Sequence, residues 1–548
     1  MNMLSKLKLL GSSRSLIAIT LFIFLLLIYF PSLRLNFSLL DDGLTLRNAR
    51  LISEGIDQLD FVKVGNIILE PQHGRVRPVY WLVQSVLVWF SLHNSFLMHI
   101  YRFLILLMTL LIAKKILEKF GVHQIISALL LFFYGFNIQN LENYYRLGPT
   151  EPFLVFYYIS LIFVIYIAKY KSSNKQFFLA AVIFFFGAFT KENFFLVSIP
   201  LIVGHLIMIY NKKKRSQEIK ITLLLVVIAT VATVLIFAIK SFYPYANTYS
   251  SNYMINFEQI SSSLRVFLRD LTFYQPILFE ISVIYGAFFI FRIVFVKKFK
   301  NLSYEDVFLF VLWSQAVLQF GVLLPWKYAL SRYLALVNIN LILIYGITIQ
   351  RIYAYLDKNV ISKIQLPKYN KSLALLLILL VACAQLITRS YFAVANYQLF
   401  QMVDSKSSNE SVKMMANNIP HEETVFVNYK KGDSNIEIFK ATGWHLVEIY
   451  ERGDLAFEYI DEENLCTKID RYVFDRKSDR FLKSDTFDSD DFVKIDTGET
   501  VYMPINYGAV ARSFYYKTKL ENWHDEYLFD WTLYTQKSNT CIKESSIL

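Results

Sequence analysis

Two adjacent carboxylates, Asp41 and Asp42, follow closely on the first long apolar run of the chain. A carboxylate beside a membrane can act as a general base toward a hydroxyl nucleophile. The pair could also hold a hard divalent ion through oxygen. More plainly, it could cap a helix over Thr45–Ile52 by accepting free amide N–H groups. Neighbouring residues on extended backbone point opposite ways, so the two aspartates are expected to divide these jobs. Cations suited to an anionic group come next: Arg75 and Arg77, with His73 close by. Arg146 opens the run Arg146-Leu147-Gly148-Pro149-Thr150-Glu151, and Lys191 lies in Thr190-Lys191-Glu192-Asn193. Lys327, Arg332 and Tyr333 follow Pro325-Trp326. Guanidinium and ammonium groups neutralise phosphate, arginine in bidentate fashion. Arg75, Arg77, Arg146, Lys191 and Arg332 are therefore candidates for an anionic substrate. Glu151, Glu192, Tyr333 and His73 are candidate contacts to the rest of it. Each has a plainer reading. Arg75, Arg77 and Arg332 suit snorkelling anchors. Arg146 could pair with Glu151, Lys191 could pair with Glu192 at the interface, and His73 could face solvent.

Apolar elements must position these residues. The 548-residue chain is 55% hydrophobic and 17% aromatic, with only 18% charged residues. Its mean hydropathy is +0.39, which is the profile of a polytopic membrane protein. Apolar runs recur at 16–30, 97–113, 124–141, 152–168, 177–189, 194–210, 221–240, 275–295, 304–324, 330–350 and 372–395, about eleven spans. The first carries Lys6, Lys8 and Arg14 ahead of it and no small-residue cleavage site behind it, so it reads as a retained helix. Pro78–Leu92 could span or lie at the interface. Charge decides between the two. With Pro78–Leu92 interfacial and the N-terminus cytoplasmic, the inner loops hold 22 basic against 3 acidic residues, and the outer loops 12 against 11. That asymmetry obeys the positive-inside rule. If Pro78–Leu92 spans, Lys212-Lys213-Lys214-Arg215 turns outward, against the rule. The net charge of +12 thus belongs to cytoplasmic loops, and a nucleic-acid partner is not expected. All the polar motifs above fall on the outer side.

Residues 1–395 form the membrane module, with a first outer loop at 31–96. From 396 to 548 the balance reverses, to 18 basic against 27 acidic residues with no span-length apolar run. A soluble extracytoplasmic α+β domain is expected there, with strands near Thr424–Tyr429, Leu446–Tyr450, Tyr472–Phe474, Ser513–Lys517 and Tyr527–Tyr534. The acidic stretch Asp485–Asp496 lacks the spacing of an EF-hand and reads as a solvated loop. Cys466 and Cys541 could pair if this domain is outside the cytoplasm, while Cys383 lies in an apolar run.

An N-terminal span, an outer loop opening on an acidic pair, an Arg-Pro helix and many further spans resemble the GT-C superfamily of membrane glycosyltransferases. Within it the pattern is similar to the protein O-mannosyltransferase and aminoarabinose transferase-like group. The resemblance rests on Asp41-Asp42, on Arg75 to Tyr80 and on the topology, and it does not cover the C-terminal domain. The family's Asp-Glu is Asp-Asp here, and its Pro-Pro-Leu type motif is Arg77-Pro78-Val79-Tyr80. The resemblance implies transfer of a sugar from a polyprenyl-phosphate carrier on the outer face to a hydroxyl on a glycan, lipid or protein. It implies Asp41 as the base, with Asp42 orienting the acceptor, binding a metal or capping the helix. A divalent metal is compatible with the pair, although no further ligand set is evident. A lipid-linked glycan transporter or flippase would instead place charges and broken helices at mid-membrane, and a glycan polymerase would also work at the outer face. The polar sites cluster at the outer ends, which favours the transferase.

Overall fold

A computed structural model describes residues 23, 25–37, 42–69, 76–91, 93–167, 173–211, 216–242, 255–296, 302–326, 329–356, 394, 397–398, 401–402, 404–428, 436–459, 472–476, 492–497 and 531–536. The first helix, α1 (Leu25–Arg34), ends in a 3-10 turn. Four helices follow before the first long apolar one is complete: α2 (Asp42–Asp57), α3 (Phe61–Ile68), α4 (Pro78–Ser91) and α5 (Ser95–Lys119). Local chemistry sets their starts. The Asp60 side chain accepts from Lys63 N–H to open α3, and Asn94 accepts from Phe96 and Leu97 N–H to open α5. Such caps satisfy amide donors that have no partner within the helix.

The run 124–141, read above as one span, is broken. Helix α6 (Gln124–Gly135) stops, and Asn137 caps a separate short helix, α7 (Ile138–Tyr145), by accepting from Gln139 N–H. Then come α8 (Glu151–Ile162), extended by a π turn over Phe163–Ile167, and α9 (Ser173–Ala188). A 3-10 turn at Glu192–Val197 leads into α10 (Ser198–Asn211), followed by α11 (Ser216–Phe242). Helix α12 (Phe257–Tyr274) is amphipathic and ends just before Pro276, which starts α13 (Pro276–Val296). Helix α14 (Tyr304–Leu323) opens on a capping box between Ser303 and Asp306. A 3-10 turn at Ser331–Leu334 precedes α15 (Ala335–Leu356).

Among the described residues, four helices are long and apolar enough to cross a membrane, or five if α12 and α13 count as one bent span. Six more apolar helices are shorter. The bundle has two distinct ends. At one, Arg351 reaches Glu305 and Asp306 at 2.9 and 2.8 Å, and Phe120 stacks on Phe308. At the other, the loops assigned to the outer side meet. Val79 N–H donates to Phe189 O at 3.0 Å, Tyr80 Oη to Gly148 O at 2.6 Å, and Asn143 to Arg332 O at 2.8 Å. Ser331 donates to the Asp270 carboxylate. A buried amide layer joins α7 to α15 and to the junction between α12 and α13. Gln139 Oε1 accepts from Gln275 and Asn338 at 3.2 and 2.9 Å, and Asn338 also donates to Asn140 at 3.3 Å. Buried amides are tolerated when they bond to one another in this way.

The C-terminal region contains helix α16 (404–418), helix α17 (Ile436–Tyr450) and strands β1 (Thr424–Val427), β2 (Ala456–Tyr459), β3 (Tyr472–Arg476), β4 (Phe492–Thr497) and β5 (Trp531–Gln536). The sheet order is β2-β1-β3-β5-β4. β1 is parallel to β2 and β3, with Val425 opposite Phe457 and Tyr472, while β5 is antiparallel to β3 and β4. Val412, Met415, Val425, Leu446, Phe474 and Leu533 share its core. Leu446–Tyr450, expected as a strand, is the end of α17. The reason is topological: β1 and β2 run parallel and adjacent, so the chain between them must cross over, and a helix does so. The acidic stretch expected as a solvated loop ends in strand β4, and Phe492 is buried. Ser513–Lys517 and the three cysteines lie outside the described residues.

Candidate functional site

Asp42 starts α2 and is buried. Its carboxylate accepts the Leu147 N–H at 3.1 Å, so the first turn of α2 is bolted to the loop after α7. That loop is tied down elsewhere too. Tyr80 of α4 holds Gly148 O, and Arg102 of α5 donates to Pro149 O at 2.9 Å. Arg102 is fully buried, and its guanidinium lies over the Phe153 ring. Gly148-Pro149 thus makes a turn whose carbonyls serve as anchors.

The charges around this loop sort differently from the simplest sequence pairing. Arg146 does not pair with Glu151. Its Nη1 lies 3.4 Å from Glu142 Oε1, one turn back on α7. Arg332, from the turn before α15, reaches the same oxygen at 3.1 Å. One carboxylate therefore holds two guanidinium groups, one from 4 residues away and one from 190 residues away in sequence. Glu151, at the start of α8, is buried and pairs with Lys191 from the turn after α9. The Tyr333 ring lies 5.5 Å from Lys191 Nζ and 5.5 Å from Arg332 Cζ, within cation–π range. Tyr397, just ahead of α16, is partly buried, with its ring centroid 6.2 Å from that of Tyr145 on α7.

Residues Asp42, Arg146, Glu151, Lys191, Arg332 and Tyr333 thus share one end of the bundle, linked through Leu147, Glu142 and Tyr333. Arg77 sits just before α4, and its carbonyl accepts Trp81 N–H. Asp41, His73, Arg75 and Lys327 lie outside the described residues, as does the Glu192 side chain. Sequence reading had not singled out Glu142, Asp270 or Arg102. The signal for Glu142 was its i,i+4 spacing to Arg146 on a helix. Arg102 was visible as the one charge inside the run 97–113, where function or a buried partner is the default expectation. Among the described residues, no group of three or more His, Cys, Asp or Glu side chains could hold a metal ion.

Chemically, the arrangement sets three cations, Arg146, Lys191 and Arg332, among three carboxylates, Asp42, Glu142 and Glu151, at the ends of apolar helices. Cations so placed are costly unless paired. Glu142 and Glu151 hold them in place, and an arriving phosphate would find two guanidinium groups already oriented.

No protein-family model matches the chain, and no curated protein matches it. Solved structures are similar in fold. ArnT from Cupriavidus metallidurans bound to undecaprenyl phosphate has 11% identity and a TM-score of 0.48, over 95% of this chain and 98% of that one. The apo state of ArnT has 13% identity and a TM-score of 0.45, over 85% and 94%. The archaeal oligosaccharyltransferase AglB from Archaeoglobus fulgidus, in complex with an inhibitory peptide and a dolichol-phosphate, has 11% identity and a TM-score of 0.48, over 84% and 69%. At these values the likeness is one of overall shape, and no residue role is carried over from it.

Proposed function

We propose that the chain is a membrane glycosyltransferase that moves a sugar from a polyprenyl-phosphate carrier to a hydroxyl acceptor. The reaction takes place on the outer face of a bacterial plasma membrane, with inversion at the anomeric carbon. The N-terminus is cytoplasmic, about eleven segments cross the membrane, and residues 396–548 form an extracytoplasmic domain. The observation that carries this reading is the convergence of Arg146, Lys191 and Arg332, from three separate loops, at the end of the bundle where Asp42 is anchored. A donor with an apolar tail and an anionic head matches apolar helices that end in oriented cations.

In this mechanism Asp41 takes the proton from the acceptor hydroxyl as its oxygen attacks the anomeric carbon. The bond from that carbon to the phosphate oxygen breaks on the opposite face, and polyprenyl phosphate leaves. Arg146 and Arg332 neutralise the phosphate as charge builds on it, with Lys191, Arg75 and Arg77 completing the positive field. Asp42 serves as the helix bolt, which its bond to Leu147 N–H supports, and this leaves the base role to Asp41. Glu192, Tyr333 and His73 are assigned to sugar or acceptor contacts. The test uses purified protein in nanodiscs with polyprenyl-phosphate sugars and hydroxyl acceptors. Release of polyprenyl phosphate coupled to sugar on the acceptor supports the reading. Flipping of intact lipid-linked glycan across a vesicle membrane without transfer would replace it with transport.

A further inference from the structure

Helix α17, the crossover of the sheet, also lies along α2, the helix that begins at Asp42. His445 covers Gly43. A Cβ at Gly43 would come 2.9 Å from His445 Cδ2, 3.1 Å from its Nε2 and 3.3 Å from Trp444 Cβ. Arg47 holds its guanidinium over the Trp444 ring, 5.8 Å from the centroid. Arg50 Nε donates to both oxygens of Glu448, at 3.0 and 2.9 Å, and the Glu448 side chain is 1% exposed. Positions 43, 47 and 50 form one helical face, met by 444, 445 and 448 on the partner. Behind that face Ile449 packs against an apolar cluster that includes Leu46, Ala49 and Leu147. Leu147 is the residue whose amide holds the Asp42 carboxylate.

These contacts are not alike in what they can do. The Arg50–Glu448 bridge acts two turns along α2 from Asp42, and the apolar cluster reaches Asp42 only through Leu147. The Gly43–His445 contact acts on the first turn itself. A buried imidazole there, 4% exposed, fits only because residue 43 has no side chain.

We propose that His445 is a positioning residue of the outer-end site: seated on Gly43, it fixes the first turn of α2 and Asp42 at its start, next in sequence to the proposed base Asp41, and the C-terminal region completes the site. The inference rests on the proposed transferase for its activity readout but not for its contact. Displacing a base by about 1 Å costs on the order of a hundredfold in rate while substrate affinity is kept. The effect therefore belongs in kcat rather than in KM.

The test uses full-length protein in nanodiscs, with hydrogen exchange at the first turn of α2 and kcat and KM for the lipid donor. Gly43→Ala is expected to raise exchange about tenfold and lower kcat on the order of a hundredfold, with KM within about twofold. His445→Ala is expected to do the same, His445→Gln to recover most of kcat, and Gly43→Ala/His445→Ala to do no better than His445→Ala alone. Gly65→Ala, whose added Cβ meets nothing within 4 Å, should leave all readouts at wild type. Wild-type kcat in His445→Ala, or its full restoration in the double variant, would reduce the contact to packing and overturn the proposal. Absence of transfer in the wild type would remove the functional reading alone. Unchanged exchange in His445→Ala would then still overturn the positioning role.

Discussion

Lys191 and Glu151 belong to different turns, 40 residues apart in sequence, yet each side chain is mostly withdrawn from water against the other. Breaking such a pair from one side strands a buried charge, which costs about 3–5 kcal/mol. Lys191→Met is therefore expected to destabilise the chain by roughly that amount, and Lys191→Met/Glu151→Gln to regain most of it. Thermal inactivation of the purified variants reads the effect, and a double variant as unstable as the single one would contradict the pairing. Activity should not return with stability, because the site loses a cation either way. The sequence displayed Lys191, Arg146 and Arg332 because charges at the ends of apolar runs are expensive and so demand a reason. It did not display their partners. Spacing alone pairs Arg146 with Glu151, which its loop also contains. The structure pairs it with Glu142, because α7 is a separate helix and i,i+4 geometry outcompetes the turn.

At the scale of elements, the crossover helix was the hardest to read. His445-Leu446-Val447-Glu448-Ile449-Tyr450 alternates well enough for a strand. It is a helix because both of its faces are used, Leu446 toward the sheet and Glu448 and Ile449 toward α2. Only the parallel pairing of β1 and β2 fixes that choice, and such pairing is not written locally. Arg452 ends this unit. It donates to Ala416 O, Ile419 O and Pro420 O at 2.6, 2.9 and 2.7 Å, and to the Asp454 carboxylate. Arg452→Met leaves those carbonyls unpaired and is expected to cost the C-terminal region about 2–3 kcal/mol, read by pulse proteolysis of the full chain. The Arg452 guanidinium, helped by the Glu422 N–H, holds the Asp454 carboxyl well below the usual carboxylate range. A depressed folded pKa contributes stability above the unfolded pKa and loses it as pH falls through the folded one. The region should therefore loosen as pH drops below about 4, near the ordinary aspartate value. Asp454→Asn should flatten that dependence, and an unchanged profile would remove Asp454 from the account.

Apolar runs predicted most helices, because burial in lipid and burial in protein both demand them. The break between α6 and α7 was not legible, since Phe136 and Asn137 interrupt an apolar run by a single cap. Under the positive-inside rule the charge asymmetry of the loops predicts which positions face outward. Gln58→Cys, in the loop expected to face outward, should react with an impermeant maleimide on intact cells, and His123→Cys only after permeabilisation. Both positions are exposed, so labelling of His123→Cys from outside would mean that Pro78–Leu92 spans and that every later loop is inverted.

All three scales meet at the start of α2, where Leu147 N–H holds Asp42 and His445 of α17 covers Gly43. The central claim is that Asp41 is the base of a sugar transfer from a polyprenyl-phosphate donor. Single-turnover transfer by purified wild-type and Asp41→Asn protein, with binding of polyprenyl phosphate measured on the same samples, tests it most directly. The account predicts that Asp41→Asn binds the lipid as wild type does and that transfer falls at least about a thousandfold, in the range lost with a general base. Transfer by Asp41→Asn at the wild-type rate would contradict it.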